Sequence, residues 1–418
     1  MVKKTVLSNG IRVISENIPH AYSVSIGIWV ANGSREEKRE SNGVAHFIEH
    51  LLFKGTERRS ALQIAREIDS VGGVLNAFTG REFVCYYVKV LDTFLPKAVD
   101  LLADIFLNSQ FDPEEIEKER KVILQEISML EDTPDDYIHD LFSQKMWQGH
   151  PLGMPIIGNA KSVGSLTRDF IVDYRNSKYR AEDVIITAAG KVDHKELLHL
   201  FSDMCSRVHP GSGRTTGRRP GYGKRVAVYD KDLEQVHLCL GIKSIPQNHK
   251  DRYEAHIINT ILGGGMSSRL FQEVREKEGL AYSIYSYMAA HSDSGSLAVY
   301  AGTSRESLEE VLDLTLREFK RLKADAISGV ELDAAKQQLK GNILLSLESS
   351  DNRMSKLAKN EIYFGRYQTL DEIMEGFDRV TDKSLQGVCE RLFDERYVTL
   401  ILMGNGEDIA YSSDQLAF

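Results

Sequence analysis

Two stretches of the sequence decide the fold: AHFIEHLLFKG, from Ala45 to Gly55, and AHIINTILGGG, from Ala255 to Gly265. They share the apolar frame of one helix, and further matches follow them in the same order. FLPKAVDLLADIF, from Phe94 to Phe106, is echoed by SLEEVLDLTLREF, from Ser307 to Phe319. Strand-like VIITAAG and TLILMG then occur near the end of each half. One match would be chance, but several in a constant order indicate a duplicated domain.

The composition is that of an ordinary globular chain. Of 418 residues, 42% are hydrophobic and 27% are charged, which suffices for two or three domains with separate cores. The net charge of −9 disfavours a nucleic-acid partner, and no apolar run reaches the length of a membrane span. The four cysteines lack CxxC spacing, so we expect reduced thiols. The N-terminal MVKKTVLSNG has no signal-peptide core, and we therefore expect a cytoplasmic protein.

A change of composition separates the two halves. The run SRVHPGSGRTTGRRPGYGKR, from Ser206 to Arg225, is rich in glycine and basic residues and contains no acid. Such a run is typical of an exposed linker. We therefore expect a first domain at 1–205, a linker at 206–224 and a homologous second domain at 225–418.

Periodicity within each half indicates both strands and helices. TVLSNGIRVI is typical of a hairpin closed by Asn9-Gly10, and SVSIGIWV is typical of a strand. ALQIAREIDSVGG has the period of a helix that ends at glycine, and the stretches after it are strand-like. Because strands and helices do not alternate strictly, the sequence predicts an α+β fold. Each half is expected to be a mostly antiparallel sheet covered by helices.

HFIEH places three polar side chains on one side of an otherwise apolar helix. At 100° per residue, His46 and His50 lie about 40° apart, and Glu49 lies about 60° to the other side of His46. Two histidines at this spacing can hold one zinc ion, and a carboxylate beside them suits a general base. The order HxxEH is the signature of inverzincin metallopeptidases. The alternative is a partly exposed helix whose histidines bond to neighbouring groups.

A catalytic zinc site usually has three protein ligands, so a further side chain is needed. FDPEE predicts the start of a helix capped by Asp112, on which Glu119 and Glu126 share a face beside a stripe of isoleucines. An unpaired carboxylate at the edge of a buried face would be costly. A metal, or a histidine bound to a metal, would relieve that cost. The alternative is a pair of rim glutamates bridged to lysine or arginine.

In the second copy, uncharged residues replace most of the polar groups of this candidate site. The replacements are Asn259 for Glu49, Thr260 for His50, Ala335 for Glu119 and Asn342 for Glu126. His46 alone keeps its counterpart, His256. If folding required these groups, both copies would keep them. We therefore expect the chemistry in the first half and another task for the second.

HFIEH followed by LLFKGT, with Glu126 located 76 residues beyond His50, resembles the pitrilysin/insulinase-type zinc peptidases. The resemblance covers nearly the whole chain and is greatest to the beta subunit of mitochondrial processing peptidase and its bacterial relatives. It implies the LuxS and processing-peptidase type of fold. It also implies one Zn²⁺ per chain held by His46, His50 and Glu126. Glu49 would be the general base, and Glu119 would orient a ligand from outside.

The resemblance further implies where a peptide binds. The edge strand beside the metal, which receives an extended peptide by strand addition, matches Asn76, Ala77, Phe78 and Thr79. A substrate-contacting pair of the family matches Arg275 and Tyr282. From the residues alone, the alternatives are an interior strand, a helix-surface arginine and a core tyrosine.

The expected activity is that of a zinc-dependent endopeptidase acting on extended or targeting-type peptides inside a closed chamber. Relatives such as insulin-degrading enzyme close more such domains around a chamber than this chain contains. The resemblance thus implies a homodimer, or a heterodimer with an inactive homologue. In it, Arg275 and Tyr282 would act on a peptide at the partner's zinc. The lack of a mitochondrial presequence suggests a bacterial protein and puts presequence removal in doubt. The alternative is a non-catalytic peptide-binding or assembly subunit of the same family.

Overall fold

The computed structural model describes residues 1–211, 217–405 and 411–418 of the chain. The chain divides into two compact units, and each combines one β-sheet with covering helices. The first unit comprises Met1–Met129, Met154–Arg218 and Ser346–Tyr367. The second unit comprises Leu130–Gly153, Arg219–Leu345 and Gln368–Phe418. The α+β class predicted from the sequence is thereby confirmed.

Strands and helices follow one another without strict alternation. The strands are β1 Val2–Val6, β2 Arg12–Asn17, β3 Ser23–Val30, β4 Val74–Thr79, β5 Val84–Leu91, β6 Val184–Gly190, β7 Arg225–Asp230, β8 Val236–Ser244, β9 Ala281–Ala290, β10 Gly295–Thr303 and β11 Val398–Gly404. The α-helices are α1 Val44–Leu52, α2 Ala61–Asp69, α3 Leu95–Asn108, α4 Pro113–Glu131, α5 Pro134–Met146, α6 Ala160–Ser165, α7 Arg168–Lys178, α8 His194–Leu200, α9 Ser202–Arg207, α10 Arg252–Gly263, α11 Leu308–Ala324, α12 Gly329–Ser346, α13 Ser350–Phe364, α14 Leu370–Asp378 and α15 Asp382–Leu392. A π-helix spans Phe271–Lys277, and short 3-10 helices span Ser34–Glu36, Arg39–Ser41, Asp92–Phe94, Pro151–Gly153, Ala181–Asp183, Glu395–Tyr397 and Ser413–Gln415. Over the described ranges, no helix has both the length and the apolar character needed to cross a lipid bilayer.

The two sheets repeat one topology. The sheet of the first unit has the order β1-β2-β6-β3-β5-β4, and that of the second has the order β7-β11-β8-β10-β9. In each sheet one pair is parallel, β2 with β6 and β7 with β11, while the other pairs are antiparallel. The second sheet therefore reproduces the first without β1, as expected for a duplicated domain.

Strand β3 shows how both faces of the first sheet are covered. Every residue in the range Val24–Val30 is buried, so alternate side chains enter two different cores. Ile26 packs in the core that includes α1 and α3. Trp29 points the other way and packs in a smaller core with Met354 of α13. Its indole Nε1 donates to the hydroxyl of Thr187 at 2.8 Å, which satisfies the buried polar group.

Each sheet is completed by a helix from the other half of the sequence. Helix α13 packs on β2, β3 and β6 of the first unit, and α5 packs on β8 and β11 of the second. The alignment of the two copies places Pro134 opposite Ser350, so these are equivalent helices. The units therefore differ from the contiguous domains 1–205 and 225–418. The physical reason is that both faces of each sheet are apolar, and the covering helix of one face comes from the other half.

The expected linker at 206–224 is only partly a separate segment. Ser206 and Arg207 still belong to α9, whereas β7 begins at Arg225. Tyr222 packs within the second unit, where its hydroxyl donates to the backbone oxygen of Gly295 at 3.1 Å. Residues 212–216 lie outside the described residues.

Candidate metal centre

The motif HFIEH lies in α1, and its surroundings explain why a helix begins there. Gly43 precedes the helix with a φ of +95°, a left-handed conformation that favours glycine. A glycine offers no side-chain cap, and the carboxylate of Glu37 takes that role from outside the helix. It accepts hydrogen bonds from the backbone amides of Gly43 and Ala45 at 2.8 and 2.9 Å. The apolar face of α1 is buried, as the periodicity predicts.

Helix α4 carries the two candidate glutamates. Asp112 caps it as expected, because its Oδ1 accepts from the backbone amide of Glu114 at 2.8 Å. The isoleucine stripe is buried, which fixes the orientation of the neighbouring face. Glu119 is buried on this helix, whereas Glu126 is half-buried.

The three expected ligands converge. The ligand atoms of His46, His50 and Glu126 all lie within 4.8 Å of one another. Nε2 of His50 is 3.6 Å from Oε2 of Glu126, and two ligands of a tetrahedral zinc with bonds of about 2.1 Å would lie roughly 3.4 Å apart. Two imidazoles and one carboxylate are a donor set that zinc accepts with a position left open. Among all residues that the structure describes, no other such group of His, Cys, Asp or Glu side chains occurs.

The ring of His50 is held by a chain of two further side chains. Its Nδ1 donates to Oε2 of Glu119 at 3.1 Å, which leaves the lone pair of Nε2 available to a metal. The other oxygen of Glu119 lies 2.6 Å from the ammonium of Lys54. Since Glu119 is only 6% exposed, this positive charge offsets its burial. Glu119 is therefore bridged to a lysine, as the alternative interpretation states, and it also contacts His50, as expected for a residue that orients a ligand.

His46 is held differently. Its Nδ1 is buried and has no hydrogen-bond partner in the part of the chain that the structure describes. Burial, reinforced by the nearby ring of His50, lowers the pKa of His46 to about 4. The imidazole is therefore neutral near neutral pH, which is the form that binds a metal. A half-buried, neutral imidazole whose Nδ1 has no hydrogen-bond partner among the described residues fits the expected role of a ligand.

Glu49 lies beside these ligands and contacts the neighbouring strand. The hydroxyl of Thr79, at the end of β4, donates to Oε2 of Glu49. Burial raises the pKa of Glu49, and the hydrogen bond from Thr79 opposes this rise. A general base is most effective when its pKa approaches the working pH, so partial burial suits this carboxylate for proton transfer.

The segment expected to bind a peptide is an edge strand. β4 pairs with β5 on one side, and within the described residues no strand pairs with its other side. The alternative of an interior strand is therefore wrong. Ala77 is buried, whereas Asn76 and Phe78 are exposed. Thr79, the last residue of the strand, is hydrogen-bonded to Glu49. The free backbone groups of such an edge can pair with an extended chain.

The structure brings Arg275 and Tyr282 together in the second unit. Arg275 lies in the π-helix, and its guanidinium carbon is 5.0 Å from the ring centre of Tyr282 near the start of β9. Tyr282 is 80% exposed, so its interpretation as a core tyrosine is wrong. The exposed ring and the adjoining charge can both meet a ligand.

The second unit builds the equivalent helix without metal ligands. In α10, Thr260 occupies the place of His50 and donates its hydroxyl to the backbone oxygen of His256 at 3.0 Å. On α12, Ala335 is buried and Asn342 is exposed. The frame is kept, and the groups that could bind a metal are absent from these positions.

Two residues of the centre, Glu37 and Lys54, are not among those expected from the sequence. Lys54 stands four residues after His50, so helical spacing places it on the same side and could have suggested its contact with an acid. Glu37 has no comparable signal, since Glu36 and Glu40 lie in the same irregular stretch. Only the three-dimensional structure distinguishes it from them.

Comparison with known proteins agrees with this geometry. The family described as Insulinase (Peptidase family M16) matches residues 12–160, and the Peptidase M16 inactive domain matches residues 165–339. The uncharacterized zinc protease YmxG of Bacillus subtilis is 40% identical over 407 residues, which cover 97% of this chain and 99% of that protein. The uncharacterized zinc protease Rv2782c of Mycobacterium tuberculosis is 40% identical over 414 residues, covering 97% and 93%.

Solved structures share the fold. The peptidase M16 inactive domain from Pseudomonas fluorescens superposes with a TM-score of 0.91 at 20% identity, covering 98% of this chain and 99% of that one. A protease from Helicobacter pylori superposes with a TM-score of 0.88 at 23% identity, covering 97% and 99%. At these identities the likeness shows the fold alone.

These matches define a metallopeptidase class, and the chain belongs to the M16 insulinase family. It is a zinc protease, as are the relatives that match almost its entire length. The resemblance to insulinase-type peptidases and the expectation of an enzyme are both confirmed.

Proposed function

We propose that this zinc protease is an endopeptidase for extended peptides, with one zinc ion held by His46, His50 and Glu126. The observation that supports it is the convergence of these three ligand groups within 4.8 Å, with Glu49 beside them. Zinc bound there would act as a Lewis acid toward the scissile carbonyl and the attacking water. The alternative of a non-catalytic subunit is disfavoured because the complete set of groups is present.

Glu49 is the general base of this proposal. Its carboxylate takes a proton from the attacking water and delivers it to the leaving amine. Thr79 fixes the orientation of that carboxylate by a hydrogen bond from β4. Glu119 holds Nδ1 of His50, which keeps Nε2 directed toward Glu126.

The substrate in this proposal is a peptide in extended conformation. It adds to the free edge of β4, where its backbone pairs with residues 76–79. Strand addition requires a segment whose backbone groups are unpaired, so unfolded peptides are favoured over folded proteins. Because Thr79 is both the end of β4 and the partner of Glu49, the peptide backbone is brought alongside the general base.

Arg275 and Tyr282 are proposed to contact the peptide across a dimer, either a homodimer or a heterodimer with an inactive homologue, that closes a chamber. Complementation tests this. Glu49→Gln lacks the base but keeps the pair, and Tyr282→Ala lacks the pair's ring but keeps the base. If the pair acts at the partner's centre, mixing the two weakly active variants restores activity. If mixing restores nothing while native mass spectrometry shows that mixed dimers have formed, the pair acts within its own chain.

A peptide-library digest read by mass spectrometry tests the activity itself. The wild type is expected to cleave unstructured peptides and to contain stoichiometric zinc by elemental analysis. Glu49→Gln is expected to retain zinc and to lose activity by roughly 10²- to 10⁴-fold. Cleavage by the variant at the wild-type rate would refute the role of Glu49. Wild-type protein without zinc and without cleavage would favour a non-catalytic subunit.

A further inference from the structure

The two histidines of the candidate metal centre are positioned by different means. His50 is held by its ring, because Glu119 accepts from its Nδ1. No hydrogen bond within the described residues holds the ring of His46, whose Nδ1 is buried. The position of His46 therefore depends on the backbone that carries it, which is the first turn of α1.

That first turn is anchored by Glu37. Its Oε2 accepts from the amide of Gly43 at 2.8 Å and from Nδ2 of Asn42 at 2.9 Å. Its Oε1 accepts from the amide of Ala45, the residue before His46, at 2.9 Å. One carboxylate, only 2% exposed, thus satisfies two of the amides that every helix leaves unpaired at its start. A negative charge at this end also interacts favourably with the helix dipole.

A neighbouring loop also contacts the same turn. Nδ2 of Asn42 also donates to the backbone oxygen of Pro155 at 2.8 Å. The backbones approach so closely that a Cβ on Gly43 would lie 2.6 Å from the oxygen of Ile157. Glu37 and this loop therefore both restrain the start of α1, and a shift of this turn would move the backbone of His46.

We infer that Glu37 is a positioning residue of the metal centre, which sets the place of His46 through the first turn of α1. The inference rests on the proposed role of His46 as a zinc ligand. Glu37 does for His46, through the backbone, what Glu119 does for His50 through the ring. Helices α2, α6, α7 and α8 of the first unit are instead capped by the side chain of their own N-cap residue, as Asp193 caps α8.

Glu37→Gln is the decisive variant because it keeps the size of the side chain. The glutamine has one oxygen, which accepts hydrogen bonds, and one NH2 group, which cannot. The NH2 group must therefore face an N–H donor, either the backbone amide of Ala45 or the amides of Asn42 and Gly43. We expect the first turn to shift and the zinc dissociation constant to rise by roughly 10- to 100-fold, the range seen for residues that orient ligands from outside.

The matched control is Asp193→Asn, which makes the same change of acid to amide at the start of α8. Oδ1 of Asp193 accepts from the amides of Lys195 and Glu196 at 2.8 and 3.0 Å, far from the metal ligands in sequence. Zinc affinity is measured by competition with a chromophoric chelator at mildly alkaline pH, and melting temperature is measured on the metal-free proteins. We expect weaker zinc binding in Glu37→Gln and unchanged binding in Asp193→Asn.

The inference is overturned if Glu37→Gln binds zinc as tightly as the wild type, or if Asp193→Asn weakens binding as much. If Glu37→Gln does not fold, Asn42→Ala carries the test, because it removes one of the three donors and is expected to weaken zinc binding less. Asn42→Ala with wild-type affinity would then overturn the inference. A further variant separates failure of this inference from failure of the proposed function. If His46 were not a zinc ligand, His46→Ala would bind zinc as tightly as the wild type.

Discussion

His50 and Glu119 are joined by a hydrogen bond of 3.1 Å between Nδ1 and Oε2. The opposite oxygen of Glu119 lies 2.6 Å from Lys54, so the imidazole, the carboxylate and the ammonium form one chain. We expect Glu119→Gln to weaken zinc binding by roughly 10-fold and Glu119→Ala by up to about 100-fold. Chelator competition measures both. Equal affinity of Glu119→Ala and wild type would contradict an orienting role.

Lys54→Met tests the far end of this chain. Methionine keeps much of the length of the side chain but removes the charge that offsets the burial of Glu119. Without that ion pair the Glu119 carboxylate is held less firmly against Nδ1 of His50, so the imidazole is oriented less well. We expect zinc affinity to fall in Lys54→Met and to fall less in Lys54→Arg, which keeps the positive charge. Equal losses in the two variants would mean that the charge of Lys54 is not what supports Glu119.

The hydrogen bond from Thr79 to Glu49 predicts the effect of two nearly isosteric changes. Thr79→Val removes the hydroxyl, and we expect kcat to fall roughly 10- to 100-fold, because a hydrogen bond to a charged group contributes about 1.5 to 3 kcal/mol. Thr79→Ser, which keeps the hydroxyl, is the matched control and is expected to remain close to wild type. Zinc content by elemental analysis should be unchanged in both. Loss of zinc from Thr79→Val would show that the residue supports the metal and not the base.

The pKa of Glu37 makes stability depend on pH. Burial raises it from 4.5 to about 7, although hydrogen bonds from Ala45, Gly43 and Asn42 lower it. Because the folded state then holds the proton more tightly, the contribution of Glu37 to stability is full below pH 4.5 and is lost as pH rises through about 7. Urea unfolding of the metal-free proteins should show the stability of wild type relative to Glu37→Gln falling across this window. The fall should be at most about 3 kcal/mol, and a constant difference would contradict the shift.

Helix α13 predicts a large effect far from the metal. Leu357 is 1% exposed in the core that α13 forms with Trp29 and its neighbours. We expect Leu357→Ala to lower the free energy of unfolding by about 2 to 5 kcal/mol, because it leaves a cavity. Leu344→Ala on α12, where the side chain is 49% exposed, is the control and should have little effect. A small loss for Leu357→Ala in urea unfolding would mean that α13 covers the sheet only loosely.

Features set by local spacing could be predicted from the sequence. Helical spacing places His46 and His50 on one face of a helix and Glu119 and Glu126 on one face of another, whereas the choice of Glu126 as the third ligand is what the family resemblance implies. The degenerate second copy separates chemistry from framework, as Thr260 shows by bonding to its own helix. These inferences need no knowledge of distant contacts.

Features that depend on which segments meet could not be predicted in this way. The alternation in β4 is the same whether the strand is at an edge or in the interior, so its free side emerges only from the strand order. Glu37 is one acid among several until its amide partners are known. The placement of α5 and α13 does not follow from the sequence, because an amphipathic helix does not specify the sheet that it covers.

The exchange of α5 and α13 bears on how such a chain arose. These helices are equivalent in the duplication, and each half of the sequence contributes its copy to the unit formed mainly by the other half. An ancestor of half the length could cover both faces of its sheet by the same exchange with a second copy of itself, which is domain swapping in a symmetric dimer. Gene fusion would then have joined two partners that were already interdependent. After fusion, one copy could lose its metal ligands while its helix α13 continued to cover the sheet of the other.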